Sequence, residues 1–148
     1  MRFIGRLSQL PPRLATGAFI LNSGLAKRNA SEEAAAGMHG MAAGTYPFLA
    51  DLEPKQFAKT LSTAEIALGA ALLIPIVPAA VAGAGLAAFA GGLLGLYLKT
   101  PGLREEGSLR PTQAGTAIAK DIWMFGIGAG LVLESLSSRS GKKAGKKK

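Results

Sequence analysis

Hydrophobic positions are concentrated in the middle of the chain, where the 33 consecutive residues between Glu65 and Lys99 carry no charged side chain. One helix of that length would be about 50 Å long, whereas the hydrocarbon core of a bilayer is about 30 Å thick. The segment Pro75–Pro78 favours a break in this run, because proline lacks a backbone N–H donor. The pattern therefore predicts two membrane-spanning helices joined by a tight turn, at about residues 60–77 and 79–98.

The apolar segment Leu14–Ala26 predicts a short first span at about residues 12–27. Arg13 and Lys27 flank it, and both cations are expected to reach lipid head groups. A basic start followed by a short apolar centre and small residues is also typical of a secretory signal peptide. Cleavage of residues 1–26 is therefore the alternative to a retained first helix.

The segment Ile122–Leu133 is apolar but only about 18 Å long as a helix, so the last span is predicted to begin earlier and to occupy about residues 115–135. Cations cluster before the first span and after the last, which places both termini in the cytoplasm. Residues 28–59 then form an extracytoplasmic loop, and residues 139–148 a disordered basic cytoplasmic tail. The predicted fold class is all-α, with residues 1–138 forming an integral membrane four-helix bundle whose N and C termini are cytoplasmic.

The composition supports this class and excludes others. The 148-residue chain is 18% charged, below the roughly one quarter that is usual in soluble domains. It contains no Cys, which excludes a disulfide framework, a thiol redox centre and Cys-ligated zinc or iron–sulfur sites. The net charge of +8 is explained by the basic tail, which is expected to contact anionic lipid rather than nucleic acid. The lysines predicted to contact head groups are Lys142, Lys143, Lys146, Lys147 and Lys148.

Four spans bring several polar residues to one depth, near the outer leaflet. Glu65, Lys120 and Asp121 are drawn below the membrane surface, where an unpaired charge costs at least about a few kcal/mol, so they are expected to satisfy one another. Such residues are functional candidates for proton uptake, cation binding or contact with a quinone head group, although a buried polar cluster also serves to fix helix order. The predicted intramembrane cluster consists of Asn22, Lys27, Glu65, Tyr97, Lys120 and Asp121.

The third span carries small residues at four-residue spacing, a pattern that lets helix backbones approach closely. We interpret these small residues as packing against other helices of the bundle rather than as a surface that binds a partner protein. The predicted stripe consists of Gly83, Ala87, Gly91 and Gly95, and Gly126 and Gly130 form a similar pair in the fourth span.

The motifs of common enzymes and metal sites are sparse in this sequence. Met38–Met41 includes the only histidine, and sulfur and imidazole ligands suit copper, but an ordinary flexible loop is the preferred interpretation and no metal site is predicted. The sequence contains no phosphate loop, dinucleotide fingerprint, zinc-protease helix or nucleophile elbow. We therefore expect that the chain has no catalytic activity of its own, and we detect no motif for a tightly bound cofactor.

Three stretches resemble the DoxX family of small bacterial four-helix membrane proteins. Arg13–Lys27 is similar to the first helix of the family, with an early Arg and a closing Ser-Gly-x-x-Lys. Ala64–Leu73 is similar to the second, in which an acidic residue precedes a Gly-containing apolar run, and Lys120–Gly126 resembles the Lys-Asp opening of the fourth. The similarity extends from Arg13 to about Leu136. The positions that match the family pattern are Asn22, Lys27, Glu65, Lys120 and Asp121.

The resemblance implies a multi-pass protein of the bacterial cytoplasmic (inner) membrane. Some members of the family are linked to thiosulfate:quinone oxidoreductase, and others to membrane oxidoreductase assemblies that handle oxidative or sulfur stress. The chain is then expected to be an accessory or quinone-associated subunit, with an oxidoreductase or a second copy of itself as partner. Two alternatives stay open: a small proton- or cation-coupled transporter that uses Glu65 and Asp121, and a purely structural scaffold.

Overall fold

The computed structural model describes the backbone of residues 7–144 and the side chains as far as Ser138, and within that range it is helical and forms no β-strand. The all-α prediction is confirmed at this level. Five helices have 14 residues or more, and a short helix precedes the last of them. The helices are α1 (Leu10–Lys27), α2 (Glu32–Thr45), α3 (Pro54–Leu73), α4 (Ala79–Lys99), α5 (Thr116–Ala119) and α6 (Ile122–Ala144).

The long helices associate as two antiparallel pairs, α1 with α3 and α4 with α6, and contact between the pairs is much sparser. Glycines let α1 and α3 approach closely. A Cβ added at Gly24 would lie 2.8 Å from the backbone nitrogen of Ile66, and one at Gly69 would lie 2.6 Å from that of Leu21. Side chains larger than hydrogen at these positions would push the two backbones apart.

The contact between α4 and α6 uses the first part of the predicted stripe. A Cβ added at Gly128 would lie 2.6 Å from the carbonyl oxygen of Gly83 and from the nitrogen of Ala87. Gly91 also faces α6, at the ring of Phe125, whereas Gly95 lies against the hydroxyl of Tyr46, in the turn after α2.

The predicted packing role of Gly126 and Gly130 within the bundle is wrong. A Cβ at either position would meet nothing within 4 Å, whereas Gly128 is buried against α4. Residues two apart on a helix point about 200° away from each other, so a contact at Gly128 turns both neighbours outward.

The break between α3 and α4 falls at the predicted turn, because α3 ends at Leu73 and α4 begins at Ala79. The side chain of Arg13 holds this turn from α1. Its guanidinium donates to two carbonyl oxygens in the last turn of α3, where intrahelical donors run out, and to two carbonyl oxygens of the turn that follows. The four acceptors are the oxygens of Ala71, Leu72, Ile74 and Val77, at 2.7 to 3.0 Å. Arg13 is only 4% exposed, so the expectation that it reaches lipid head groups is wrong.

Two segments that were predicted to be irregular contain helix. Residues 28–59 include α2, whose first turn is capped by Ser31, with the side-chain oxygen of Ser31 accepting from the backbone nitrogen of Ala34 at 3.2 Å. Met38–Met41 lies inside this helix rather than in a flexible loop. The backbone of α6 continues to Ala144, where the sequence predicts a disordered tail from residue 139. The side chains of Lys142, Lys143, Lys146, Lys147 and Lys148 lie outside the described residues.

Within the described residues, two segments are long and apolar enough to cross a membrane, Ala79–Lys99 and Thr116–Ser138. Both belong to the α4–α6 pair. The helices of the other pair, α1 and α3, carry more polar residues and are not apolar enough to be counted as candidate spans in the same way.

Candidate functional site

A partly open cavity of about 490 Å³ lies between the two helix pairs, at the end of the bundle where α1 and α4 end and α6 begins. Most of its lining is apolar. Large apolar side chains from α1, α2, α3, α4 and α6 contribute to this lining, and they include Phe19, Met38, Met41, Phe57, Phe89 and Met124. The helix α2 therefore forms one wall of the site, although the sequence predicts that segment to be a loop.

One end of the cavity holds an ion pair between the two halves of the α1–α3 pair. The ammonium nitrogen of Lys27 lies 3.0 Å from the Oε2 of Glu65 and also donates to the hydroxyl of Ser23 at 2.6 Å. Glu65 is buried and 4% exposed, whereas the Lys27 side chain is one quarter exposed. The pair crosses from the end of α1 to the middle of α3, and the partners neutralise each other in a largely apolar setting.

A second acid faces the same cavity from the other helix pair. Asp121 lies in the short break between α5 and α6, is 8% exposed and lines the cavity. Among the described residues, no donor reaches its carboxylate within hydrogen-bonding or ion-pairing distance. The charges of Lys27 and Glu65 act on it across the cavity. The two helix pairs thus place one paired and one unpaired carboxylate around a single volume.

Lys120, next to Asp121, reaches back across the gap between the helix pairs. Its ammonium nitrogen lies 5.7 Å from the centre of the Phe19 ring on α1, which is within the range of a cation–π interaction. Lys120 itself is exposed. This contact joins the start of α6 to α1 at the rim of the cavity.

Four of the six residues in the predicted polar cluster meet at this cavity, namely Lys27, Glu65, Lys120 and Asp121. The remaining two do not. Asn22 is exposed on the outward side of α1. Tyr97 is buried, but its hydroxyl donates to the carbonyl oxygen of Leu109 at 2.6 Å and so ties α4 to the following loop. The sequence analysis predicts all six residues at one depth, but only four of them share the face that lines the cavity. A prediction of depth alone does not distinguish the faces of a helix.

Two residues that add polar contacts at the site, Ser23 and Tyr46, were not predicted. Ser23 accepts from Lys27, and its position four residues earlier on the same helix is a local signal that could have identified it. Tyr46 closes the cavity from the turn after α2, where its hydroxyl donates to the carbonyl oxygen of Gly92 at 2.7 Å. No local pattern links these two positions, because they are 46 residues apart in sequence.

The only histidine has partners of its own. The Nε2 of His39 lies 2.8 Å from the carbonyl oxygen of Leu49, and its ring packs edge-on against Phe57 at 5.5 Å between centroids. No group of three or more His, Cys, Asp and Glu side chains in the part of the chain that the structure describes is arranged to hold a metal ion. Met38 and Met41, which flank His39, contribute instead to the apolar lining of the cavity.

Comparison with protein-family models, with curated proteins and with solved structures gives no match to this chain.

Proposed function

We propose that the protein is a four-span membrane protein of the bacterial cytoplasmic membrane that binds a lipid-soluble amphipathic molecule, a quinone, as an accessory subunit of a membrane oxidoreductase. The observation that carries the proposal is the cavity, which is apolar over most of its lining and has charged residues at one end. Ligand sites in proteins are typically apolar pockets of about 300 to 1,000 Å³ with a few convergent polar groups. A quinone has the matching division into a polar head group and an apolar chain.

The outer surface supports a membrane location. In the most apolar stretches of the two candidate spans, only 28% and 17% is buried inside the protein. A core helix of a soluble protein is mostly buried. Large apolar side chains face outward from α1 as well as from α4 and α6, and this surface includes Leu14, Leu25, Val81, Leu98, Trp123 and Leu133. With 18 and 20 residues, α1 and α3 would be about 27 and 30 Å long, which is close to the thickness of the hydrocarbon core.

The burial of charge in α1 and α3 is consistent with spans. The guanidinium of Arg13 donates hydrogen bonds to main-chain oxygens, and Glu65 forms an ion pair with Lys27. Polar groups in a bilayer must be satisfied internally. These two arrangements provide that satisfaction, and they explain how helices with charged residues can share a bilayer with α4 and α6.

The role as an oxidoreductase subunit rests on the resemblance to the DoxX family. Of the positions that carry that resemblance, Lys27, Glu65, Lys120 and Asp121 surround the cavity, while Asn22 lies outside it. A shared binding site accounts for why these residue types occur together. Both termini are then cytoplasmic, and the cavity lies towards the outer leaflet.

The test is purification of the tagged full-length protein from its native membrane in mild detergent, with identification of bound proteins and extracted quinones by mass spectrometry. Wild type is compared with Glu65→Gln and with Glu106→Gln, a matched change at an exposed loop position. We expect a flavin- or haem-containing oxidoreductase and quinone to accompany wild type and Glu106→Gln, and both to be depleted from Glu65→Gln. Recovery of wild type without quinone and without such a partner would contradict the proposal.

A second candidate function is proton- or cation-coupled transport. The observation that favours it is that Glu65 and Asp121, from different helix pairs, face one cavity. Transport predicts ion flux in proteoliposomes that Glu65→Gln abolishes while Glu106→Gln preserves it. Flux no greater than that of protein-free liposomes would exclude this candidate.

A further inference from the structure

The carboxylate of Asp121 is a hydrogen-bond acceptor that faces the cavity. Asp121 is more than nine-tenths buried and lines the cavity, and among the described residues no donor binds its side-chain oxygens. Its side-chain oxygens are open to the cavity, because the one fully buried side-chain polar atom without a hydrogen-bond partner in the described part of the chain is the Oγ1 of Thr100. A carboxylate in a largely apolar cavity needs a hydrogen-bonding partner, so this partner comes from whatever occupies the cavity. The partner must carry a hydrogen-bond donor, because an ionised carboxylate only accepts.

The other charged groups of the cavity limit what that partner is. Lys27 and Glu65 neutralise each other, and Lys120 lies beside Asp121, so two cations and two acids surround the cavity. This balance favours a neutral head group over a cationic one. Among the described residues Lys27 has two acceptors, Ser23 and Glu65, so its third N–H can donate to a ligand oxygen.

The lining beyond the charges is suited to a flat, apolar body. Three phenylalanines and three methionines contribute to it, and Met adapts to aromatic surfaces through its flexible, polarisable side chain. They are Phe19, Phe57, Phe89, Met38, Met41 and Met124.

Resting on the proposed quinone-binding role of this cavity, we infer that Asp121 selects the reduced form of the ligand, a quinol, over the oxidised quinone. A quinol hydroxyl donates to the carboxylate of Asp121 and at the same time accepts from a cation of the site. A quinone carbonyl only accepts, so it leaves Asp121 unsatisfied and is repelled by it. The site thus holds the hydroxyl-bearing product of quinone reduction more tightly than the quinone itself.

The experiment measures equilibrium binding of decylubiquinol and of decylubiquinone to the full-length protein in lipid nanodiscs, under anaerobic conditions. Variants are Asp121→Asn, which keeps the shape and removes the charge, Asp121→Glu, which keeps the carboxylate, and Asp51→Asn as the matched change at an exposed position. We expect wild type and Asp51→Asn to bind the quinol about tenfold or more tightly than the quinone, because hydrogen bonds to charged groups are the stronger ones. Asp121→Asn should lose that preference, with weaker quinol binding and tighter quinone binding, because the amide removes the charge and its N–H can donate to a quinone carbonyl. Asp121→Glu should retain part of the preference.

Three outcomes would overturn the inference. If wild type binds the quinone as tightly as the quinol, there is no selection, and this result needs no variant. If Asp121→Asn lowers the affinity for the quinol and for the quinone equally, Asp121 shapes the cavity and does not distinguish a hydroxyl from a carbonyl. If wild type binds neither form, the proposed quinone site fails together with this inference, whereas the first two outcomes leave the proposed site intact.

Discussion

Arg13 shows at the scale of one residue how this chain accommodates a buried charge. The guanidinium lies inside the bundle and spreads its donors over the carbonyl end of α3 and the turn that follows. That end of a helix carries partial negative charge and unpaired carbonyl groups. Arg13 therefore compensates its own burial and fixes the point at which the chain turns from α3 into α4.

Replacement of Arg13 is expected to destabilise the protein strongly. Arg13→Gln leaves several buried carbonyl oxygens without donors and should lower the free energy of unfolding by about 3 kcal/mol or more. Arg13→Lys should recover less than half of this loss, because a single ammonium cannot replace the planar fork of the guanidinium. The measurement is unfolding in detergent, with Arg28→Gln at an exposed position as control. Equal stability of Arg13→Gln and Arg28→Gln would contradict this account.

The Lys27–Glu65 pair is expected to be stabilising chiefly because each partner neutralises the other. Glu65→Gln removes the charge of the buried partner and leaves Lys27 without its counter-ion, which should cost about 1–3 kcal/mol, below the cost for fully buried pairs because Lys27 is partly exposed. The double variant Lys27→Gln/Glu65→Gln should be less destabilised than the sum of the single variants. A double-mutant cycle of unfolding free energies measures this coupling, and additive effects would show that the two groups do not interact.

At the scale of helices, glycine positions decide which faces come together. The α1–α3 contact depends on Gly24 and Gly69, and the α4–α6 contact on Gly83 and Gly128. Close approach of backbones increases van der Waals contact between helices, which is an important driving force for helix association in lipid. Each helix pair is therefore a closely packed unit. The sparser contact between the two pairs leaves room for the cavity.

Two glycines on α6 provide a matched test of this packing. Gly128→Val places side-chain atoms against the backbone of α4 and should destabilise the protein by about 2–4 kcal/mol. Gly126 lies on the outward side of α6, where an added Cβ meets no atom within 4 Å. Gly126→Val should therefore change stability by less than about 0.5 kcal/mol. Melting temperature and size-exclusion profile in detergent distinguish the two variants. A destabilised Gly126→Val would instead indicate that this face contacts a second copy of the chain.

At the scale of the whole molecule, the helix order places the turn at residues 74–78 at one end of the bundle and the α2 and 100–115 segments at the other. In a membrane, these two ends lie on opposite sides. The cavity lies at the end that carries α2, which contributes Met38, Met41 and Ala42 to its lining. Its position relative to the bilayer is therefore fixed once the side of either end is known.

The natural absence of Cys makes this topology directly measurable. Single cysteines at the exposed positions Asp51, Ile76 and Glu106 are treated in intact cells with a membrane-impermeant maleimide. We expect Asp51→Cys and Glu106→Cys to react from outside and Ile76→Cys to react only after the membrane is opened, because the positive-inside rule places the termini and the turn in the cytoplasm. Labelling of Ile76→Cys in intact cells would reverse the orientation, and recovery of the protein in the soluble fraction would contradict the membrane assignment.

Several features of the fold and the site could be read from sequence because they depend on local physics. The break at Pro75–Pro78 follows from the missing proline donor, and the helical character follows from the length and periodicity of apolar segments. The pairing of Lys27 with Glu65 follows from the cost of leaving charges unpaired in an apolar setting. The expectation that Glu65, Lys120 and Asp121 satisfy one another is wrong, because Glu65 pairs with Lys27 and none of the described residues donates to the carboxylate of Asp121. The positions of Arg13 and Tyr97 did not follow, since each is bound to carbonyl groups that only the folded chain brings within reach.

The sequence by itself determined that this chain is helical, where its central helices are interrupted and which charged residues need partners, because spacing, proline and charge act over a few neighbouring residues. The tertiary structure alone decided that α2 forms a wall of the cavity and that Gly128, rather than Gly126 or Gly130, meets α4. It also decided that none of the described residues donates to the carboxylate of Asp121. These features depend on the rotation of each helix about its axis and on contacts between residues distant in sequence. Both are fixed by the simultaneous packing of all helices, so no single segment of the sequence specifies them.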